Sequence, residues 1–234
     1  MLVIFICIAM LLISSYILIR ELKEFKESNS STLELIEEVI TEDTNSKETT
    51  IDWNKLKDIN DDIIGWIKIN DTNIDYPILK DNTELKYLNH SYNGKYNKNG
   101  SIFTLNRKPF NDRITIIYGH NMKSNIMFSE LDKYMNKDFF DKHKYFEIYT
   151  EECNYKATIF SCYSIGVNQE ENNIKLLRFE DEIEYYKNKS KIKSEENIGE
   201  IKKIVKLSTC SYINNHTVPT NQRYYIIAKI EKLD

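Results

Sequence analysis

Apolar and polar positions divide the chain into two unlike parts. Leu2 to Ile19 is an unbroken apolar block with no charge and only two serines. As a helix it is about 27 Å long, close to the roughly 30 Å hydrocarbon core of a bilayer. No small-x-small cleavage pattern follows it; the next residues are Arg20-Glu21-Leu22-Lys23. The reading is therefore a retained membrane anchor over residues 1–20 rather than a removed signal peptide. Residues 21–50 are largely polar, with Leu33, Ile36, Val39 and Ile40 at helical spacing inside them. They read as a stalk or a loosely docked helix.

A single folded domain is expected over residues 51–234. Asp52 can cap a helix bearing Trp53, Leu56 and Ile59 on one side. Beyond Gly65 the period shortens and β-branched and aromatic residues dominate. Strands are expected at Trp66–Ile69, Ile74–Ile78, Ser101–Thr104, Ile114–Tyr118, Tyr145–Thr150, Tyr155–Ser164, Lys203–Thr209 and Arg223–Ile230. Turn signals separate them, among them Asn70-Asp71-Thr72-Asn73, Asn93-Gly94 and Asn99-Gly100. The nearly continuous apolar run at Ile114–Tyr118 marks a buried strand. Helical spacing is expected at Thr83–His90, at Ile126–Phe140 (Met127, Leu131, Tyr134, Met135), and at Ile174–Lys193 (Leu176, Leu177, Ile183, Tyr186). About eight strands with helices in their connections predict a mainly β fold, a closed or nearly closed eight-stranded barrel with helical insertions.

Composition narrows the function. A net charge of −4 provides no basic face for nucleic acid. The four cysteines are Cys7, Cys153, Cys162 and Cys210. Cys7 lies in the apolar block and reads as a small hydrophobe. Cys153 and Cys162 flank one strand, which would separate them by roughly 30 Å, far beyond disulfide reach. No Cys/His spacing suggests zinc, and neither a metal nor a cofactor is expected.

Cys210 remains as a lone thiol where an apolar strand, Ile204 to Leu207, gives way to Ser208-Thr209-Cys210-Ser211. Two further strand ends carry matching chemistry. Ile114–Ile117 leads into Tyr118-Gly119-His120-Asn121, and Arg223 opens the strand that follows Cys210. A thiol nucleophile, an imidazole acid–base and a cation that never deprotonates are the parts of cysteine-based acyl transfer. Of the other histidines, His90 and His143 sit in polar loops and read as solvated. His216, six residues past Cys210, competes with His120 for the acid–base role. A buried structural cysteine in a non-catalytic surface-binding module is the plainer alternative.

Leu207-Ser208-Thr209-Cys210 resembles the L-x-T-C signature of the sortases, Tyr118-Gly119-His120-Asn121 their histidine motif, and Arg223 before an apolar strand their arginine. The order His, Cys, Arg agrees. Asp75-Tyr76-Pro77-Ile78, Lys86-Tyr87-Leu88-Asn89-His90, Gly100-Ser101-Ile102-Phe103 and the helical insert before the cysteine strand are similar to the class B subgroup. The resemblance covers roughly residues 52–231. Four places depart from it. Lys206 replaces a usual Thr, Ser211 a frequent acidic residue, and Thr104-Leu105-Asn106 a common Met-Asp-Tyr; Asn82–Leu88 is one or two residues longer.

The resemblance implies a membrane-anchored cysteine transpeptidase with its domain outside a Gram-positive-type cell. Its partners would be secreted proteins bearing a C-terminal sorting motif and a peptidoglycan precursor or wall peptide amine. Cys210 would form the thioester, His120 would move the proton and Arg223 would steady the oxyanion. Leu88, Ser208 and Thr209 would contact the substrate. Arg20, Lys23 and Lys26 follow the apolar block, and the positive-inside tendency taken alone would place the body in the cytoplasm; the resemblance implies the opposite orientation. A cysteine hydrolase using the same Cys210 and His120 is the second enzymatic reading.

Overall fold

The computed structural model describes residues 2–42, 49–83, 85–122, 125–194, 197–211 and 221–233. Two compact units divide the chain, Met1–Ile51 and Asp52–Asp234. In the first unit one helix, α1 (Leu2–Val39), continues past the apolar block. A two-stranded antiparallel ribbon follows, β1 (Ile40–Glu42) with β2 (Thr49–Ile51). Residues 21–39 are thus helical. The side chains from Ile4 to Ile19 are exposed. Among the described residues no helix is long and apolar enough to cross a membrane.

The second unit opens with α2 (Trp53–Ile59), whose first turn is capped by Asp52 accepting from the Lys55 amide. Eight strands then close a barrel: β3 (Ile63–Lys68), β4 (Asp75–Lys80), β5 (Ile102–Thr104), β6 (Ile114–Tyr118), β7 (Tyr145–Tyr149), β8 (Asn154–Gly166), β9 (Ile204–Cys210) and β10 (Gln222–Lys232). Their order around the wall is β10-β8-β7-β3-β4-β5-β6-β9, with β9 returning to β10. The β4–β5 and β6–β9 pairs are parallel and the others antiparallel. Closure leaves no open sheet edge.

Alternation along the strands sorts side chains between two cores. Val205, Leu207 and Thr209 of β9 lie opposite Ala228, Ile226 and Tyr224 of β10 and point into the barrel. Ile204, Lys206, Ser208 and Cys210 point outward. Outside, Tyr163, Ile165, Ile204, Tyr225 and Ile227 form an apolar cluster with Ile183 and Tyr186, which belong to the helix after α4 (Val167–Ile174), namely α5 (Phe179–Lys189).

The helices differ in detail from the periodic pattern. The apolar spacing at Ile126–Phe140 resolves into a 3-10 helix at Ser129–Met135 and α3 (Lys137–Lys142). The break is at Asn136, whose extended backbone lets its side chain accept from the Asp138 and Phe139 amides. Thr83–His90 yields only a 3-10 turn, Lys86–Leu88. In the insert before β9, α5 lies inside the expected stretch and a further helix, α4, precedes it. α4 covers the polar stretch VNQEENNI, while Leu176 sits in the connection and is 92% exposed. β6 alternates between buried and half-buried positions rather than being buried throughout.

Candidate active site

Strand register builds the site. β6 and β9 run parallel with Tyr118 opposite Ser208. β9 and β10 run antiparallel with Cys210 directly opposite Arg223, and Arg223 in turn opposes Ile165 of β8. Cys210, Arg223 and Ile165 therefore form one row across β9, β10 and β8, and His120 follows the end of β6, two residues past the Tyr118–Ser208 pair. Neighbouring strands lie about 4.8 Å apart. In backbone register Cys210 lies beside Arg223 on one side and beside the segment that carries His120 on the other. All three are half-buried.

Backbone and side-chain bonds hold the row in place. The Gly119 amide donates to the Ser208 carbonyl at 3.2 Å, carrying the β6–β9 pairing past the strand end. Asn121 Nδ2 donates to the Cys210 carbonyl at 2.8 Å, tying the histidine segment directly to the cysteine residue. The chain then folds back: Asn121 bridges Met127, and the Phe128 amide donates to the His120 carbonyl at 2.9 Å. Glycine is required at 119 because a Cβ there would lie 2.5 Å from Ile102 Cδ1 and 2.7 Å from Phe128 Cδ2. The tight seat of the His120 backbone follows from that missing atom.

His120 Nε2 is 2.8 Å from the Leu88 carbonyl oxygen. A carbonyl only accepts, so Nε2 carries its proton and Nδ1 is the basic nitrogen of the neutral ring. The contact also brings Leu88, 42% exposed, to the rim of the groove beside His120. Gly100 makes that approach possible, with a φ of +62° and a would-be Cβ 2.6 Å from the same Leu88 oxygen. Arg223 Nη1 donates to the Gln222 carbonyl at 3.1 Å.

The remaining expected residues fall in different places. Ser208 is buried on the same outward face as Cys210. Thr209 is buried on the inner face opposite Tyr224, so its side chain is not brought to the groove. His90 bonds through Nδ1 to the Lys86 carbonyl at 2.8 Å. His143 is not solvated as its lysine neighbours suggested: its ring stacks on Phe139 and its Nε2 meets Asp71 at 2.9 Å. His216 lies outside the described residues. Ser211 is buried and accepts from the Ser164 hydroxyl at 2.8 Å. Among the described residues no group of three or more His, Cys, Asp or Glu is placed to hold a metal ion. Asn121 is the residue to which sequence reasoning gave no role, although it stands inside the histidine motif.

Relatives carry the same architecture. The sortase domain family matches residues 67–231. The curated sortase B of Listeria monocytogenes is 38% identical over 160 residues, which is 66% of this chain and 65% of the relative. The chain thus matches just under two thirds of that relative's length. The solved Staphylococcus aureus sortase B–substrate complex superposes with a TM-score of 0.67 at 31% identity, covering 77% of this chain and 85% of the other. A sortase B complexed with triglycine superposes with a TM-score of 0.66 at 32% identity, covering 78% and 86%. With the eight-stranded barrel and this family match over most of its length, the chain belongs to the sortase family of cysteine transpeptidases.

Proposed function

We propose that Cys210, His120 and Arg223 are the catalytic residues of a class B transpeptidase acting on a C-terminal sorting motif of secreted proteins. The observation that supports this reading is the register that pairs Cys210 with Arg223, together with the Asn121 bond that ties the histidine segment to the Cys210 carbonyl. The Cys210 thiolate attacks the scissile carbonyl carbon, and Arg223 donates to the resulting oxyanion. Collapse expels the amine, which takes the Nδ1 proton of the His120 imidazolium that pairs with the thiolate, and leaves a thioester on Cys210. An incoming wall-peptide amine then attacks the thioester carbon and gives its proton to His120, and the thiolate departs. Each cycle returns sulfur and imidazole to their starting states. The sorting-peptide donor and the peptide amine acceptor are supported by the relatives solved with a substrate and with triglycine. In this reading the donor meets Leu88, whose carbonyl touches His120 and whose side chain is exposed, and Ser208, which shares the outward face with Cys210.

The same proposal keeps residues 1–20 as a single-pass membrane anchor, 21–50 as the connection and 51–234 as the catalytic domain outside the cell. Its support is the uncharged run Leu2–Ile19 in the sequence and the exposure of the apolar side chains from Ile4 to Ile19 along α1.

Incubation with a panel of sorting-motif peptides, with and without short amines, tests the chemistry by mass spectrometry. The expected result is an acyl adduct on Cys210 that amines discharge to a new amide. Release of free acid at one rate with or without amine would make the protein a hydrolase. Protease treatment of intact cells tests the topology: loss of the domain supports an external body, and protection until lysis contradicts it.

A further inference from the structure

The wall beside this groove is held in an unusual way. α4 leaves β8 at Gly166, which pairs with Gln222 next to Arg223. The Val167 amide donates to the Asn221 carbonyl at 2.9 Å, so the helix starts level with the catalytic row. Three residues later Glu170 reaches Lys206 on the outward face of β9. Lys206, Ser208 and Cys210 are successive residues of that face, which puts Lys206 about 13 Å before the cysteine. α4 therefore runs from the end of β8 onto the outward face of β9, the face that carries Lys206, Ser208 and Cys210.

An ordinary surface helix is anchored by an apolar stripe. α4 has apolar residues only at its two ends, half-buried Val167 and Ile174, of which Ile174 packs on the outer cluster; between them the sequence is polar, its N-terminus has no side-chain cap, and Glu170 is its one fully buried residue. Glu170 and Lys206 are 2% and 3% exposed, and Nζ stands 2.5 Å from Oε1. The carboxylate also accepts from the Tyr163 hydroxyl at 2.5 Å and the Tyr185 hydroxyl at 2.9 Å. The ammonium lies 4.1 Å from the Tyr225 ring centroid and 4.8 Å from that of Tyr186. Burial draws the Lys206 pKa down, opposed first by the charge of Glu170 and then by that of Glu182. A buried pair of this kind rarely stabilises a fold more than apolar residues of the same size would. What it supplies is one permitted position for the helix, because any shift of α4 strands a charge.

We propose that the Glu170–Lys206 pair is a positioning clasp that fixes α4 as one wall of the Cys210 groove and thereby sets how tightly the donor peptide is held. The clasp deepens the function proposed above and rests on it. It touches no reacting atom, so it governs recognition of the peptide and leaves the reactivity of the sulfur alone.

The test uses the full chain in detergent with four variants: Glu170→Gln, Lys206→Met, Lys206→Arg, and the apolar double Glu170→Leu/Lys206→Met. Steady-state transpeptidation gives kcat and KM for the donor peptide, and a small alkylating reagent reports Cys210 reactivity. The two single truncations are expected to raise KM about tenfold, a loss of uniform binding. kcat and the alkylation rate should stay within about threefold, and Lys206→Arg should recover part of the loss. The apolar double covers the case in which a single truncation fails to fold. It is expected to melt with the parent and still show the raised KM. A folded double variant with the parent's KM would overturn the clasp, as would variants that lose kcat and alkylation rate at constant KM. Absence of any Cys210 adduct in the unsubstituted chain would instead overturn the underlying function, and is distinguished by being independent of the variants.

Discussion

Adding one methyl group at position 119 should damage both the fold and the chemistry. In Gly119→Ala the new Cβ would stand 2.5 Å from Ile102 Cδ1, 2.7 Å from Phe128 Cδ2 and 2.8 Å from Phe128 Cγ. The Ile102 methyl is the free end of a side chain and can swing away. Phe128 cannot, because its ring is fully buried and its own amide is bonded to His120. Relief must come from the backbone that carries His120. Overpacking of this kind costs about 1–3 kcal/mol. For a domain of this size that corresponds to a fall in Tm of roughly 2–12 °C. Displacing His120 relative to Cys210 should lower the acylation rate by about tenfold or more, since catalytic groups are sensitive to shifts of about 1 Å. Thermal unfolding by circular dichroism and single-turnover acylation of the same preparation give the two quantities. A variant with the parent's Tm and the parent's acylation rate would refute the reasoning about this close approach.

Three other perturbations have definite expected outcomes. Asn121→Ala removes the bond to the Cys210 carbonyl and should cost about 0.5–1.5 kcal/mol; urea unfolding measures this, and acylation should slow while the Tm shift stays small. Leu207→Ala empties a fully buried site in the barrel interior and should cost about 2–5 kcal/mol by the same unfolding assay. Alkali should unfold the protein cooperatively. Burial raises Tyr163, Tyr186 and Tyr224 above the ordinary value of 10.0 and, with the bond and charge of Glu170 and against the Asn173 bond, pushes Tyr185 up to about 12. The folded state keeps those protons where the unfolded chain loses them, so stability falls as pH rises above about 10. Phenolate absorbance should therefore appear together with loss of circular dichroism, and a smooth titration of these tyrosines in a still folded protein would contradict the burial.

The barrel was legible because strands that bury one face must alternate, and because three chemically distinct residues sat at strand ends. The row itself was not legible, since register between β6, β9 and β10 is fixed by pairing that no local pattern encodes. α4 escaped notice for a related reason. Its anchor is a glutamate that looks solvated until Lys206 is placed opposite it, and periodicity counts only apolar residues. The same blindness assigned Leu176 and Leu177 to a helix face when they lie in the connection. Asn136 broke the Ile126–Phe140 pattern through capping, a preference that the apolar spacing outweighed in the reading. His143, placed between two lysines, gave no hint of the Asp71 and Phe139 contacts that hold it.

Imidazole and guanidinium are held to act on one sulfur as a unit, and a double-mutant cycle on acylation probes that coupling. Single-turnover thioester formation would be followed for the parent chain, His120→Ala, Arg223→Ala and the double variant. Groups that serve one transition state lose their effects non-additively. Each single variant should be slowed severely, and the double variant should be little slower than the worse single one. Losses that multiply, or an Arg223→Ala variant that acylates at the parent's rate, would mean that the two groups do not share that transition state.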